Sequence, residues 1–270
     1  MAGLLVSDEL WAVVEPLIPK VERRKRYPGR KRIPDRQVLT GILFVLRTGI
    51  PWEHLPQEMG CGSGVTCWRR LKEWHERGVW QRLHEVLLAR LHEADRIDWS
   101  RAAIDSSQVR AFGGGEKTGP SPVDRSRPGS KHHLITCGRG TPLAVSLSAA
   151  NRNDISELIP LVDRVPPVRG KRGRPRRRPK KLLADRAYYS KRHHRELRRR
   201  RIKPKVAKPK SSHGSGLGKE RWVVERSIAW LHQHRRLRVR YERRADIHEA
   251  LLQLGASLIC FKQLQAVTSL

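Results

Sequence analysis

The chain has 270 residues and a formal net charge of +31, because 57 Lys and Arg face only 26 Asp and Glu. A surplus this large predicts a polyanionic partner. No run of about 18 apolar residues occurs, so we expect no membrane-spanning helix. The N-terminus lacks a signal-peptide pattern, and the four cysteines lack Cys-x-x-Cys spacing, which favours free thiols in a reducing cytoplasm.

Apolar periodicity predicts four helices in the first 95 residues. Ser7 is a suitable N-cap for the first, Asp35 for the second and Ser63 for the third, while Gly49 is a suitable end for the second. The predicted helices cover residues 7–18, 35–49, 63–77 and 79–91. We therefore expect an all-α domain over residues 1–95.

Short helices with tight turns are typical of helix-turn-helix modules. The third helix is the candidate recognition helix, because Arg69, Arg70 and Lys72 lie outside its apolar face. The alternative is a small helical bundle whose basic face is only solvated, since most charge runs are solvated surface. The pattern alone leaves both interpretations open.

From residue 96 the pattern changes to a mixed order of strands and helices. Strands are predicted over residues 101–109, 132–137, 142–147, 181–184 and 202–206, with a loop over 112–130. Helices are predicted over residues 154–162, 190–201, 219–234 and 246–264. This order predicts an α/β domain over residues 96–270, with a mixed five-stranded sheet flanked by helices. The crossover between its third and fourth strands should be right-handed.

Three carboxylates lie in apolar segments of this very basic chain. Asp105 falls in the first predicted strand, Asp185 at the carboxyl end of the fourth, and Glu225 on the penultimate helix. If the first and fourth strands are neighbours, the two aspartates can converge at the end of the sheet. Three oxygen ligands suit Mg²⁺ or Mn²⁺, and a pair of such ions can promote in-line displacement at phosphorus.

Each carboxylate also has a purely structural interpretation. Asp105 could cap the turn into the two serines that follow it, and Asp185 could pair with Arg186. Glu225 could form an i, i+4 ion pair with Arg221. Considered together on one sheet, however, the three acids favour a metal site.

The stretch from residue 168 to 210 is rich in Lys and Arg. Within it, Arg172-Gly-Arg-Pro175 resembles the core of an AT-hook, which inserts arginines into the minor groove. Such short matches are common in basic loops. We expect Arg172, Arg174 and Arg176 to follow DNA phosphates without reading bases. The run Gly113-Gly-Gly115 has no helix signature after it and is predicted to be a loop, not a phosphate cradle.

Several long blocks resemble transposases of the insertion sequence 5 family. The blocks AAIDSSQV, TGPSPVDRSRPGSKHHL, LLADRAYYS and RWVVERSIAWLHQHRRL resemble its catalytic segments. LVSDELWAVVEPLIPK, RQVLTGILFVLRTGIPWEHLP and WRRLKEWHERGVW resemble the preceding helical domain. The resemblance runs from about Leu5 to Leu264. It implies a ribonuclease-H-like catalytic fold with Asp105, Asp185 and Glu225 as its acidic triad.

The resemblance also implies a function. The expected activity is binding of terminal inverted repeats, cleavage dependent on two Mg²⁺ or Mn²⁺ ions, and strand transfer into target DNA. The expected partner is double-stranded DNA, bound by a homodimer or higher oligomer in the bacterial cytoplasm at the nucleoid, with no membrane. A catalytically inactive DNA-binding relative and an RNA-cutting protein are the alternatives.

The wider group carries a Tyr, Arg, Glu, Lys signature around the glutamate. Arg221 and Glu225 match its spacing, whereas Gly218 stands at the Tyr position and His232 at the Lys position. Arg235 and Arg236 are candidates for the missing positive charge, and Arg221 is a further candidate DNA contact.

Overall fold

The computed structural model describes residues 5–22, 25–27, 29–207 and 218–268. Its helices are α1 Asp8–Val14, α2 Asp35–Thr48, α3 Gly64–Glu76, α4 Val79–Glu93, α5 Ile155–Arg164, α6 Lys191–Arg199, α7 Gly218–Gln233 and α8 Ala245–Thr268. Its strands are β1 Ala102–Ala111, β2 Gly119–Pro120, β3 Pro128–Cys137, β4 Pro142–Ala149, β5 Lys181–Ala184, β6 Lys203–Val206 and β7 Val239–Arg240. No described helix is both long enough and apolar enough to cross a bilayer.

The four predicted N-terminal helices are confirmed, and local caps explain their ends. The Ser7 hydroxyl accepts a hydrogen bond from the Leu10 amide at 3.2 Å, and Ser63 accepts one from Thr66 at 3.2 Å. Gly49 ends α2 in the left-handed conformation, with φ of 77°. Asp35 is the first residue of α2, not its cap, and its carboxylate is favourably placed at the positive end of the helix dipole.

The helical region and the sheet share one hydrophobic core. Helix α4 packs against α8, and its buried Trp80 and Leu87 belong to the same apolar cluster as Leu251 of α8. His84 of α4 also lies with Nε2 2.9 Å from the carbonyl of Pro142 at the start of β4. The domain boundary at residue 95 therefore stays a prediction, and the segments on its two sides contribute to one continuous core.

The sheet has the predicted mixed arrangement. The central strands lie in the order β4-β3-β1-β5-β6: β1, β3 and β4 are antiparallel, whereas β5 pairs parallel to β1 and β6 parallel to β5. Two-residue strands β2 and β7 extend it to seven. The chain thus has an α/β fold with a helical N-terminal region, and its predicted first and fourth long strands, β1 and β5, are neighbours.

One predicted loop is partly a strand. Residues 112–130 contain β2 and the beginning of β3. The β3 extension is held from far along the sequence, since the buried guanidinium of Arg240 donates to the Ser130 hydroxyl at 2.8 Å. The Gly and Pro content of this segment predicted a loop. Composition could not reveal that Arg240, about 110 residues later, stabilises a strand there.

Candidate active site

The two aspartates lie on neighbouring strands: Asp105 is within β1, and Asp185 directly follows the end of β5. β1 and β5 run parallel with Ala103 opposite Leu183, and the same register continued by two residues brings Asp105 level with Asp185. Both carboxylates accept local backbone hydrogen bonds: Asp105 from Ser106 at 2.8 Å, and Asp185 from Ala187 at 3.0 Å. Asp185 thereby caps the short 3-10 turn Arg186–Tyr188. The turn considered for Asp105 is absent, because Ser106 and Ser107 continue β1.

Helix α7 brings an arginine and a glutamate to the same place. Nη2 of Arg221 lies 3.0 Å from Oδ2 of Asp105 and 3.6 Å from Oε1 of Glu225. The Arg221 and Asp105 side chains are 16% and 18% exposed, whereas Glu225 is 60% exposed. Glu225 thus lies at the rim of the site and Arg221 lies between the two carboxylates.

The electrostatics of Asp105 favour an additional cation. Burial raises the pKa of its carboxyl, and the negative charge of Asp185 raises it further, while the Ser106 amide and Arg221 lower it. The ionised form is therefore incompletely compensated. Carboxylate oxygens are ligands that Mg²⁺ and Mn²⁺ prefer, so the donor chemistry fits such ions. In the described part of the chain, however, no three His, Cys, Asp or Glu side chains are gathered closely enough to hold a metal.

A polar network behind Asp105 includes residues that the sequence analysis missed. Asp154, expected only to cap α5, makes no side-chain cap there. Its Oδ1 accepts hydrogen bonds from the Ser106 hydroxyl at 2.9 Å and from Lys131 Nζ at 3.1 Å. The polar residue next to Asp105 in β1 was the available signal, but its partner is distant in sequence.

Tyr188 is the second missed residue beside the acids. Its side chain is 1% exposed, and no described residue makes a hydrogen bond of regular geometry with its hydroxyl, although Ser106 lies near enough to lower the pKa of the phenol. Burial raises the pKa of the phenol, and the nearby Asp154, Asp105 and Asp185 charges raise it further. Tyr188 is therefore a neutral potential donor near the site. Its position three residues after Asp185 in LLADRAYYS was the available sequence signal.

The arginines predicted on α3 have different environments. Arg69 is exposed, whereas Arg70 is 7% exposed and forms ion pairs with Asp35 and Glu73. Lys72 is partly exposed and lies 3.3 Å from Glu76. The structure corrects the placement of Arg70, which packs inward because two carboxylates compensate its charge.

The basic run before β5 forms an exposed hairpin. Val168 and Arg176 exchange backbone hydrogen bonds of 2.7 and 2.9 Å, and Arg172, Arg174 and Arg176 are exposed. The hairpin borders a cleft of about 520 Å³ together with Arg139 of the β3–β4 turn. These arginines lie where a polyanion can reach them.

The two arginines after α7 differ in solvent exposure. Arg235 is exposed, but Arg236 is 5% exposed and lies 2.7 Å from Oε1 of Glu242. Arg236 also donates to the carbonyls of Gly49 at 3.2 Å and Ile50 at 2.9 Å. This corrects its predicted placement on DNA: Arg236 joins the end of α2 to the sheet region.

The two departures from the family signature also differ in environment. Gly218 begins α7 in open space, where an added side chain would meet no neighbour within 4 Å among the described residues. The His232 ring packs edge-on against His132, with ring centroids 5.8 Å apart. His232 therefore packs toward β3 and does not supply a cation at the surface.

Comparisons with known proteins agree on one family. Residues 6–84 match the model of a family assigned as transposases of the IS4/5 family, and residues 100–260 match that of the transposase DDE domain. A protein assigned as a transposase for insertion sequence element IS402 of Burkholderia cepacia is 60% identical over 152 residues, 56% of this chain and 72% of its own length.

Two further similarities are weaker in what they establish. An uncharacterised 16.2 kDa protein of insertion element IS402 from the same organism is 59% identical over 123 residues, 45% of this chain and 84% of its own. The crystal structure of the Mos1 strand transfer complex aligns over 93% of this chain and 81% of its own, at 12% identity and a TM-score of 0.33. A score this low supports no further deduction.

Proposed function

The chain belongs to the family of transposases with a DDE domain, and we propose that Asp105, Asp185 and Glu225 are the acidic residues with which it cuts and joins DNA. One observation supports this assignment: the β1–β5 pairing brings Asp105 level with Asp185, and Arg221 of α7 lies 3.0 Å from Asp105 and 3.6 Å from Glu225. Transposition requires cleavage at the element's ends and joining to a target, and both are displacements at phosphorus.

We propose that the three carboxylates hold divalent ions, Mg²⁺ or Mn²⁺. When bound, two such ions supply charge stabilisation for the attacking and leaving oxygens of the phosphodiester. Asp105 and Asp185 are the ligands carried by strands, and Glu225 is the exposed ligand carried by α7. Support comes from the oxygen donors and from the incomplete compensation of buried Asp105.

Arg221 is the internal counter-ion of this site. It has two carboxylate partners at 3.0 and 3.6 Å, and it is positioned to exchange one of them for a DNA phosphate. Asp154, held by Lys131, accepts a hydrogen bond from the Ser106 hydroxyl, and the Ser106 amide donates to Asp105. Asp154 and Lys131 thereby position Ser106 beside Asp105. These residues orient the site without contacting the reacting phosphate.

DNA is held by exposed cations in this proposal. Arg69 on α3 and Arg172, Arg174 and Arg176 on the hairpin are free to approach phosphates. Joining two ends requires two sites, so we propose a homodimer or higher oligomer on double-stranded DNA. Light scattering of the protein with and without inverted-repeat duplex measures that stoichiometry.

The direct test is nicking of inverted-repeat DNA in the presence of Mg²⁺. We expect Asp105→Ala, Asp185→Ala and Glu225→Ala each to abolish nicking while leaving duplex binding within about twofold. The matched control is Glu58→Ala, which removes an exposed carboxylate distant from β1 and α7 in sequence. Intact nicking in any of the three variants would remove that residue from the assignment.

A second candidate is a DNA-binding protein of this family that does not cut. Gly218 and His232 at two signature positions favour it, as does the absence of a gathered metal cluster within the described residues. Tight binding of inverted repeats, with no nicking in Mg²⁺ or Mn²⁺, would support this function and exclude the first.

A further inference from the structure

An exposed pair of aromatic rings lies at the far end of β1. β7 pairs parallel to β1 with Ala111 opposite Arg240, so the next residues, Phe112 and Tyr241, emerge side by side. Their ring planes are nearly parallel, with an interplanar angle of 4° and centroids 5.8 Å apart. Phe112 is 61% exposed and Tyr241 is 44% exposed. Each ring therefore keeps solvent-accessible surface beside its stacked neighbour.

Uncompensated cations flank this pair. Arg110 precedes Phe112 by two residues on the same face of β1, and its guanidinium carbon lies 4.4 Å from the Phe112 ring centroid. Arg110 and the exposed Arg243 form no ion pair with any residue that the structure describes. Both guanidinium groups are therefore available to an anion beside the rings.

The rings are supported from beneath and do not project from a loose loop. The guanidinium of Arg236 lies 4.7 Å from the Tyr241 centroid and is fixed by Glu242. A Cβ on Gly113 would lie 2.8 Å from Cγ of Arg243, and Gly115 adopts φ of +101° directly against the Arg243 backbone. The glycine run thus allows the loop to pass close to the Arg243 backbone. This contact fixes the position of the Phe112–Tyr241 pair, called here the aromatic platform.

We propose that Phe112 and Tyr241 bind unpaired bases of single-stranded DNA, with Arg110 and Arg243 on the neighbouring phosphates. Exposed aromatic rings bordered by cations suit stacked bases and a phosphate backbone, and stacking tolerates any base. Apolar partners alone would not need the two unpaired guanidinium groups. The proposal rests on the proposed function, since a DNA-cutting enzyme generates unpaired strands.

The surface is separate from the acidic site. Phe112 follows Asp105 by seven residues along β1, roughly 20 Å at the rise of an extended strand. Substitutions at the rings can therefore be tested without disturbing the carboxylates. Failure of the two proposals is also distinguishable, because strand binding is measured without metal and in an Asp105→Ala background.

The experiment measures anisotropy of a fluorescent oligo(dT) 12-mer with the full-length protein in chelator. We expect Phe112→Ala and Tyr241→Ala each to weaken binding about tenfold, because each removes a ring on which a base can stack. Phe112→Trp should restore binding by retaining a π face. Arg110→Gln should lower the salt slope by about 0.7. The matched control is Tyr27→Ala, another exposed ring with an arginine, Arg26, over it at 5.5 Å.

Equal oligo(dT) affinity in wild type, Phe112→Ala and Tyr241→Ala would overturn the proposal. So would at least tenfold preference for oligo(U) over oligo(dT), which would assign the platform to RNA. A shift of Phe112→Ala from dimer to monomer with unchanged strand affinity would assign it to self-association instead. Loss of strand affinity with unchanged duplex affinity is the supporting result.

Discussion

Arg221 and Asp105 form an ion pair that links α7 to β1, with Nη2 3.0 Å from Oδ2. The same nitrogen lies 3.6 Å from Glu225, so one guanidinium spans two of the proposed metal ligands. An arginine in this position compensates the carboxylates when no divalent ion is bound. Arg221 must release these carboxylate oxygens when a divalent ion binds them. Arginine and metal ion therefore compete for the same carboxylates.

This competition predicts that Arg221→Gln tightens binding of divalent ions in the absence of DNA. A charge pair about 4 Å apart near a protein surface interacts by about 1–4 kcal/mol, so we expect at least about fivefold higher Mn²⁺ affinity. Nicking should nevertheless fall, because the phosphate partner is lost. Electron paramagnetic resonance of free Mn²⁺ at pH 8 measures the affinity, with Arg69→Gln as the control. Weaker Mn²⁺ binding would show that Arg221 instead preorganises the acids.

A second prediction concerns the buried pair Arg236–Glu242. Both side chains are nearly inaccessible, so removal of one partner leaves an uncompensated charge. We expect Arg236→Ala to lower the free energy of unfolding by about 3–5 kcal/mol. Arg32→Ala, which breaks the more exposed pair with Glu73, should cost about 1 kcal/mol or less. Urea unfolding measures both, and equal losses would contradict the burial reasoning.

Glu242 also gives a pH dependence of stability. Burial alone would raise the pKa of its carboxyl, but the hydrogen bond with His248 and the charge of Arg236 lower it to about 2, from 4.5. The folded state thus binds this proton less readily than the unfolded state. The resulting stability is present above pH 4.5 and is lost as the pH falls toward 2. In Glu242→Gln this acid-dependent component should be absent, as melting curves between pH 6 and 3 can show.

Local signals predicted most elements but not the network behind the site. Ser7, Ser63 and Gly49 fixed helix ends through neighbours three or four residues away, which a sequence displays directly. Predicting that Asp105 and Asp185 lie close together required only that the first and fourth predicted strands be neighbours. By contrast, the Ser106–Asp154 hydrogen bond joins distant segments, so no periodicity could indicate it.

The same limit explains the two corrected arginines. Arg70 and Arg236 resemble their exposed neighbours Arg69 and Arg235 in sequence. Each pair differs in which side chain turns inward to meet a carboxylate. Only the fold brings Asp35 to Arg70 and Glu242 to Arg236, and the density of charge along the sequence does not indicate these pairs. Runs of arginine therefore predict that a basic surface exists, but not which members form it.

The neighbours Arg69 and Arg70 allow a matched test of that distinction. Arg69→Ala removes an exposed charge, so we expect the salt slope of duplex binding to fall by about 0.9 with unchanged stability. Arg70→Ala should leave the slope unchanged but lower the melting temperature, because Asp35 and Glu73 lose their partner. Binding isotherms at several salt concentrations, combined with thermal unfolding, separate the two. A slope change in Arg70→Ala alone would reverse the assignment.

The basic hairpin gives a prediction about how DNA is held. Arg172, Arg174 and Arg176 are exposed, and the backbone bonds between Val168 and Arg176 do not depend on their side chains. Their joint replacement by Gln should therefore preserve the fold and lower the salt slope by about three units. Because phosphate contacts carry no sequence information, inverted-repeat and unrelated duplexes should lose affinity equally. Selective loss on the inverted repeat would instead indicate minor-groove reading, and an unchanged slope would show that the hairpin does not contact DNA.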